Sequence, residues 1–221
     1  MMPLTMAQRA ATYARTFPEW PSSWPQVVRE DGRDVLQGVW MFGQDYRNAS
    51  AYYGAYPGNF LDRLSALFPE YTLKPDMLPM GRGRTLHAFS GSLAPGPYDR
   101  CDVVQAAEWQ CDVRKLPEVL LEAAAGSAPD YWDSLYELVV ADPPYSDEDA
   151  AKYKAPPLNR IAQTAALAEV TGIGGHLCWL DTTWPMHTKE QWVTVGRIFV
   201  LRSTNHRVRL LSIFERVNGA P

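Results

Sequence analysis

The sequence has few of the residues that build metal centres or disulfide frameworks. Its 221 residues include three cysteines, Cys101, Cys111 and Cys178, and no two stand in a Cys-x-x-Cys spacing. An odd number without metal spacing predicts reduced thiols and a cytoplasmic location. Four histidines, His87, His176, His187 and His206, are scattered along the chain, so no metal site is predicted. No apolar run reaches the ~18 residues that a membrane-spanning helix needs. Residues 1–11 lack a basic start followed by an apolar stretch, so they do not read as a secretory signal. A basic excess is also missing. The formal net charge is −4, which argues against a protein that coats nucleic acid indiscriminately. Positive charge is instead local, in Lys152, Lys154 and Arg160 and in Arg197, Arg202, Arg207, Arg209 and Arg216.

What is present suits a soluble α/β domain: hydrophobic residues make up 46% and charged residues 21% of the chain, and the length allows one substantial core. The chain is organised around residues 135–145. An apolar run over 138–141 reads as a buried strand and stops at Asp142-Pro143-Pro144-Tyr145. Neither proline has an N–H for a sheet ladder. An acid, two rigid residues and an aromatic ring therefore stand where a buried strand ends, the edge at which open α/β sheets bind ligands.

In that context the tetrapeptide resembles the catalytic Asp-Pro-Pro-Tyr motif of the class I S-adenosylmethionine-dependent amino-methyltransferases, in particular the small phage-like enzymes of the DNA adenine-N6 type. The resemblance implies roles for each residue. Asp142 and the Pro143 carbonyl accept the two N–H protons of an exocyclic amine, which frees its lone pair. Pro143 and Pro144 fix that carbonyl, because their φ is locked. Tyr145 stacks on the base, and Asp142 also borders the cofactor. It further implies a Rossmann-like sheet, mostly parallel with an antiparallel terminal hairpin strand, and S-adenosyl-L-methionine as cofactor.

Three further stretches extend the resemblance. Phe89-Ser90-Gly91-Ser92 follows an expected strand at 86–89 and is similar to the family's Phe-x-Gly-x-Gly cofactor turn, with Ser92 in place of the last glycine. A strand is expected over 98–104. Asp102 falls where the family places the acid that binds the cofactor ribose, with Asp99 as competitor. Asp112 and Val113 fall where an acid holds the cofactor adenine and an apolar side chain covers it. Residues 94–97, Ala-Pro-Gly-Pro, cannot be helical, so one crossover helix is expected to be missing.

Earlier in the chain, Thr5 is expected to cap a helix over 5–17, followed by an extended Trp/Pro-rich segment and a short strand over 35–42. Tyr52-Tyr53-Gly54-Ala55-Tyr56-Pro57 resembles an element that precedes the cofactor domain in small phage-type enzymes. It implies that Tyr53 and Tyr56 contact the base or cofactor; packing at a helix start is the plainer alternative. An amphipathic helix follows, with Phe60, Leu61, Leu64, Leu67 and Phe68 on one stripe. Beyond the motif, residues 146–157 read as a loop closing over the substrate, with Lys152 and Lys154 as substrate contacts. Then come a helix over 158–170 with Ile161, Ala165 and Ala168 inward, a strand over 176–180, a short helix ending at 191–194, and a hairpin of 197–201 with 208–214.

Residues 1–50 are expected to form an extension packed on a single catalytic domain at 51–221. No later segment is large enough for a target-recognition module, which suggests short or relaxed specificity, an RNA target, or a partner subunit or homodimer. The expected activity is methylation of an exocyclic base nitrogen, with adenine N6 in DNA first. The alternatives are an RNA base, a non-catalytic nucleic-acid-binding subunit that keeps the fold, and an amine on a small molecule or protein. Cytosine N4 is a further option, but its enzymes more often carry Ser in place of the Asp.

Overall fold

Apolar runs broken by turn residues become eight strands of one sheet in the computed structural model, which describes residues 3–42, 56–75, 84–124, 135–202 and 208–218. The strands are β1 (Gln26–Glu30), β2 (Arg33–Phe42), β3 (Thr85–Ala88), β4 (Asp99–Cys101), β5 (Tyr136–Ala141), β6 (Thr171–Asp181), β7 (Trp192–Arg202) and β8 (Val208–Arg216). Their order is β1-β2-β7-β8-β6-β5-β3-β4. Strands β4, β3, β5 and β6 pair in parallel, as do β2 and β7. Strand β8 lies antiparallel between β6 and β7. This is the expected Rossmann-like α/β sheet with an antiparallel terminal hairpin strand.

Strand β5 is the buried centre of the site-bearing half. Leu138 and Val140 pack into one apolar cluster, Val139 and Ala141 into the other. Alternate side chains leave a strand on opposite faces, so a strand covered on both faces reads as an unbroken apolar run. Complete burial of one such side chain contributes about 1.5–3 kcal/mol. The first cluster includes Trp40, Phe60, Leu64, Phe68 and Leu211, covered by α1 (Met6–Thr16) and α2 (Phe60–Leu67). Thr5 and Gln8 close the N-terminus of α1 with a reciprocal capping box. The second cluster includes Val139, Leu167, Leu177, Trp179 and Phe214, beneath α3 (Leu116–Ala124) and α5 (Arg160–Glu169).

Several expectations needed correction. Residues 26–42, read as part of an extension with one short strand, form a hairpin that joins the sheet through β2 and β7. Asp31 and Gly32 sit at φ +46° and +77°, the left-handed pair that a two-residue hairpin turn requires. The strand expected over 98–104 ends at Cys101, because the Asp102 carboxylate captures the backbone N–H groups of Val104 and Gln105 at 2.8 Å each. Residues 146–157 are not all loop, since Ser146 caps a short helix, α4 (Asp147–Lys152). Ile161 faces outward at 46% exposure, and the buried side of α5 carries Gln163, Thr164, Ala166, Leu167 and Ala168. No helix ends at 191–194. Thr188 accepts the N–H groups of Gln191 and Trp192, and Trp192 opens β7. The connection between β3 and β4 has no helix, as the prolines there dictate. Among the described residues no helix is long and apolar enough to cross a membrane.

Candidate active site

The C-terminal ends of β3, β4 and β5 open on a cavity of about 370 Å³. Three separate stretches of sequence meet there: Phe89 and Gly91; Asp102, Asp112 and Val113; and Asp142, Pro143, Pro144 and Tyr145. Lys152 and Lys154 stand at the same cavity, supplied by α4 and the residues after it. Such a volume lies within the range of small-molecule sites.

The turn after β3 is held open by unusual backbone. Phe89 adopts φ +57° and Gly91 φ +53°. A left-handed non-glycine residue costs about 1–3 kcal/mol and persists only where its surroundings enforce it. Here the enforcement is visible. Ser90 donates its N–H to the Cys101 carbonyl at 3.2 Å, and Gly91 donates its own to Asp102 Oδ2 at 2.9 Å. Arg100 braces the same loops, clasping Glu108 with Nε and Nη2 at 3.0 and 2.9 Å while Nη1 donates to the Leu93 carbonyl at 2.8 Å.

The two candidates for the ribose acid separate cleanly. Asp99 turns to Tyr136 and Arg84, at 2.6 and 2.7 Å, and does not line the cavity. Asp102 lines it, with both Oδ1 contacts and one Oδ2 contact spent on its own loops. Asp112 caps the 3-10 turn Val113–Lys115 and is gripped by Arg114, which holds its carboxyl below the usual carboxylate range.

Asp142 sits just past the end of β5. Tyr145 donates its hydroxyl to Asp142 Oδ1 at 2.6 Å, and Asp142 Oδ2 has no hydrogen-bond partner among the described residues. Burial raises the Asp142 carboxyl to about 6, with Arg209 and the Tyr145 hydrogen bond opposing the rise. Burial and the Asp142 charge push the Tyr145 phenol far above its ordinary value. The Pro-Pro-Tyr turn is tied to the next strand by Arg160. Its Nη2 donates to the Tyr145 carbonyl at 3.0 Å, and its Nε and Nη2 reach Asp181 at 2.7 and 3.1 Å.

Not every predicted residue joins this cavity. Ser90 and Ser92 line a second recess of about 350 Å³ together with Tyr56. Tyr56 bonds His87 Nδ1 at 3.0 Å and stacks on Phe60. Burial and the nearby Asp142 charge raise its phenol. Tyr53 lies outside the described residues. Sequence reasoning gave no individual role to Arg209, Gln163 or Asp181. Arg209, on β8, carries its guanidinium 4.6 Å from the Tyr145 ring centre and lines the cavity. Gln163, on α5, lines it too and keeps a buried Oε1 without a partner. A polar residue amid the apolar face of a helix is a signal that identifies Gln163. Nothing local identifies Arg209, which arrives from a remote strand. Among the described residues no cluster of His, Cys, Asp and Glu could hold a metal ion.

No family model matches the chain, and no curated protein matches its sequence. Among solved structures, TrmN from Thermus thermophilus aligns at 13% identity with a TM-score of 0.36. The alignment covers 61% of this chain and 44% of that one, so the chain spans under half the length of the structure it matches. At that similarity the overlap assigns neither family nor activity to this protein.

Proposed function

We propose that the protein is an S-adenosylmethionine-dependent methyltransferase acting on the exocyclic amino group of a nucleobase, with adenine N6 in DNA as the first substrate. One observation carries this reading. Asp142 Oδ2, which has no hydrogen-bond partner among the described residues, shares a cavity with the glycine turn and with Asp102, Asp112 and Val113. The donor set suits an adenosyl compound. Asp102 offers an acceptor to ribose hydroxyls, Asp112 and the orphaned Gln163 Oε1 offer acceptors to an amino group, and Val113 and Phe89 supply apolar cover. When bound, the donor supplies a methyl group on a positively charged sulfur.

The chain's own residues do the rest. An aromatic amine is a poor nucleophile because its lone pair is delocalised into the ring. Asp142 Oδ2 and the Pro143 carbonyl accept its two N–H groups and localise that pair. With its carboxyl at about 6, Asp142 is mostly ionised at neutral pH and ready to accept. Arg209 lies over the ring of Tyr145, and in this reading the base stacks on the opposite face; such stacking contributes ~1–3 kcal/mol. A base in duplex DNA must leave the helix to reach this depth. Catalysis is by positioning, without a covalent enzyme intermediate.

The test is mass spectrometry of nucleosides from DNA and RNA of cells expressing the protein or its Asp142→Ala variant. The expected result is N6-methyladenine in DNA from the wild type, reduced by at least ~100-fold in the variant, the scale of losing one preorganised polar contact. Methylated bases confined to RNA move the reading to that polymer. No methylated base in either, with the purified chain taking up no donor, overturns it.

A further inference from the structure

We propose that Cys101 and Cys111 are a peroxide-oxidisable thiol pair whose disulfide governs occupancy of the cavity they line. Their sulfurs lie 3.9 Å apart, and both residues border the cavity. Each immediately precedes one of the two acids of the donor site, Asp102 and Asp112. The third cysteine, Cys178, is fully buried in the opposite cluster and does not compete. The ligand affected rests on the function proposed above; the thiol chemistry does not.

The two cysteines have different tasks. Cys101 is 1% exposed at the end of β4, with its backbone neighbours tied to Trp109. Cys111 is half-buried. The S–H of Cys101 beside it lowers the Cys111 thiol, while the same contact and burial push Cys101 well up. Cys111 is therefore the attacking thiolate and Cys101 the resolving thiol. The Cys111 thiolate attacks one oxygen of a peroxide; the O–O bond breaks, hydroxide leaves, and Cys111 becomes a sulfenic acid. The Cys101 sulfur then attacks the Cys111 sulfur, the S–O bond breaks, and the departing hydroxide takes the Cys101 proton as water. Two thiols and one hydrogen peroxide yield one disulfide and two waters, with two electrons passing from sulfur to oxygen.

A disulfide needs sulfurs about 2.05 Å apart, so roughly 2 Å of approach is required. Both backbone neighbours of Cys101 are bonded to Trp109, whereas Cys111 is held there by its own N–H, 3.0 Å from the Trp109 carbonyl. The less tightly tied Cys111 is the side that shifts, and Asp112 moves with it. Displacing one charged acceptor costs donor affinity roughly tenfold.

The experiment treats the reduced full chain with hydrogen peroxide. Free thiols are then alkylated, peptides are mapped by mass spectrometry, and S-adenosylmethionine binding is measured by calorimetry. The expected result is a Cys101–Cys111 cross-link lighter by two hydrogens, an approximately tenfold weaker donor affinity, and recovery with dithiothreitol. Cys111→Ser and Cys101→Ala, whatever their own affinities, should show no cross-link and no peroxide-dependent change. Peroxide that leaves Cys101 alkylatable while Cys111 advances to a sulfinic acid overturns the pair. A cross-linked chain that binds donor as tightly as the reduced one overturns control of the cavity. If the reduced chain takes up no donor, the function proposed above fails, and the thiol pair stands or falls on the cross-link alone.

Discussion

Arg209 lies against the ring of Tyr145, guanidinium carbon to ring centre 4.6 Å, and Tyr145 in turn donates to Asp142 at 2.6 Å. A residue of β8 thereby acts on a carboxylate at the end of β5, through charge and through the ring it holds. A planar guanidinium does both, whereas a lysine ammonium supplies only the charge.

The pH dependence of methyl transfer should follow from this pair. The accepting form of Asp142 is the carboxylate, whose folded value is raised to about 6, first by burial. The rate should rise with pH through that value and level off above it. Arg209→Met removes a positive charge that favours ionisation, so the midpoint should move upward; Arg209→Lys should restore most of it. A profile of kcat/KM against pH decides the matter, and an unmoved midpoint in Arg209→Met separates Arg209 from Asp142.

Asp181→Ala should unfold the protein at lower urea concentration. Asp181 is fully buried and accepts from Arg160, from Trp179 Nε1 at 3.1 Å and from the Thr182 N–H at 2.6 Å. Its removal strands a partly buried guanidinium and an indole N–H. The expected loss is about 3 kcal/mol, the lower end for a broken buried pair, because Arg160 keeps some solvent contact. Denaturant titration with an unchanged slope measures it. Activity should fall further than stability, since Arg160 also holds the Tyr145 carbonyl.

The sequence was most legible where chemistry and local structure coincide. The run ending in Asp142-Pro143-Pro144-Tyr145 declares a covered strand and its abrupt end in eleven residues. The Thr5 cap and the β7–β8 hairpin were equally local. The first hairpin was missed although Asp31-Gly32 announces it, because Val27 and Val28 make too short an apolar run to read alone. The roles of Arg209, Arg160 and Asp181 were not legible. Each is an ordinary charged residue until folding brings β6, β8 beyond it and the start of α5 to the end of β5. The outward turn of Ile161 reflects packing, which lays the Gln163–Leu167 side of α5 against the sheet.

Lys154→Ala should weaken binding of duplex DNA and flatten its salt dependence by ~0.9 in slope, the share of one phosphate neutralised. Lys154 is exposed at the cavity edge, has no ion partner among the described residues, and is held at φ +56°. Lys152→Ala should change the slope less, because Lys152 already pairs with Asp149 at 2.9 Å. Titrations at several salt concentrations compare the two. An unchanged slope for Lys154→Ala removes it from the substrate path.

Arg9→Ala should destabilise the fold by about 2–4 kcal/mol, less than a fully buried pair because Glu70 keeps solvent contact. The Arg9 side chain is wholly buried. It donates to the Leu67 carbonyl at 3.0 Å and to Glu70 at 2.6 Å, and lies 4.3 Å from the centre of the Phe68 ring. Thermal unfolding of the variant at neutral pH reads the loss. A shift within error would mean that α1 docks by its apolar side chains alone.

Strand β8 is the one neighbour that β6 and β7 share. Without residues 208–216 the sheet divides into β1-β2-β7 and β6-β5-β3-β4, two half-sheets with raw edges and no seam between them. Arg209 lies in that same segment, so the strand that closes the seam also brings the guanidinium that covers Tyr145. A chain truncated just before β8 would carry those open strand edges, prone to pair with other copies.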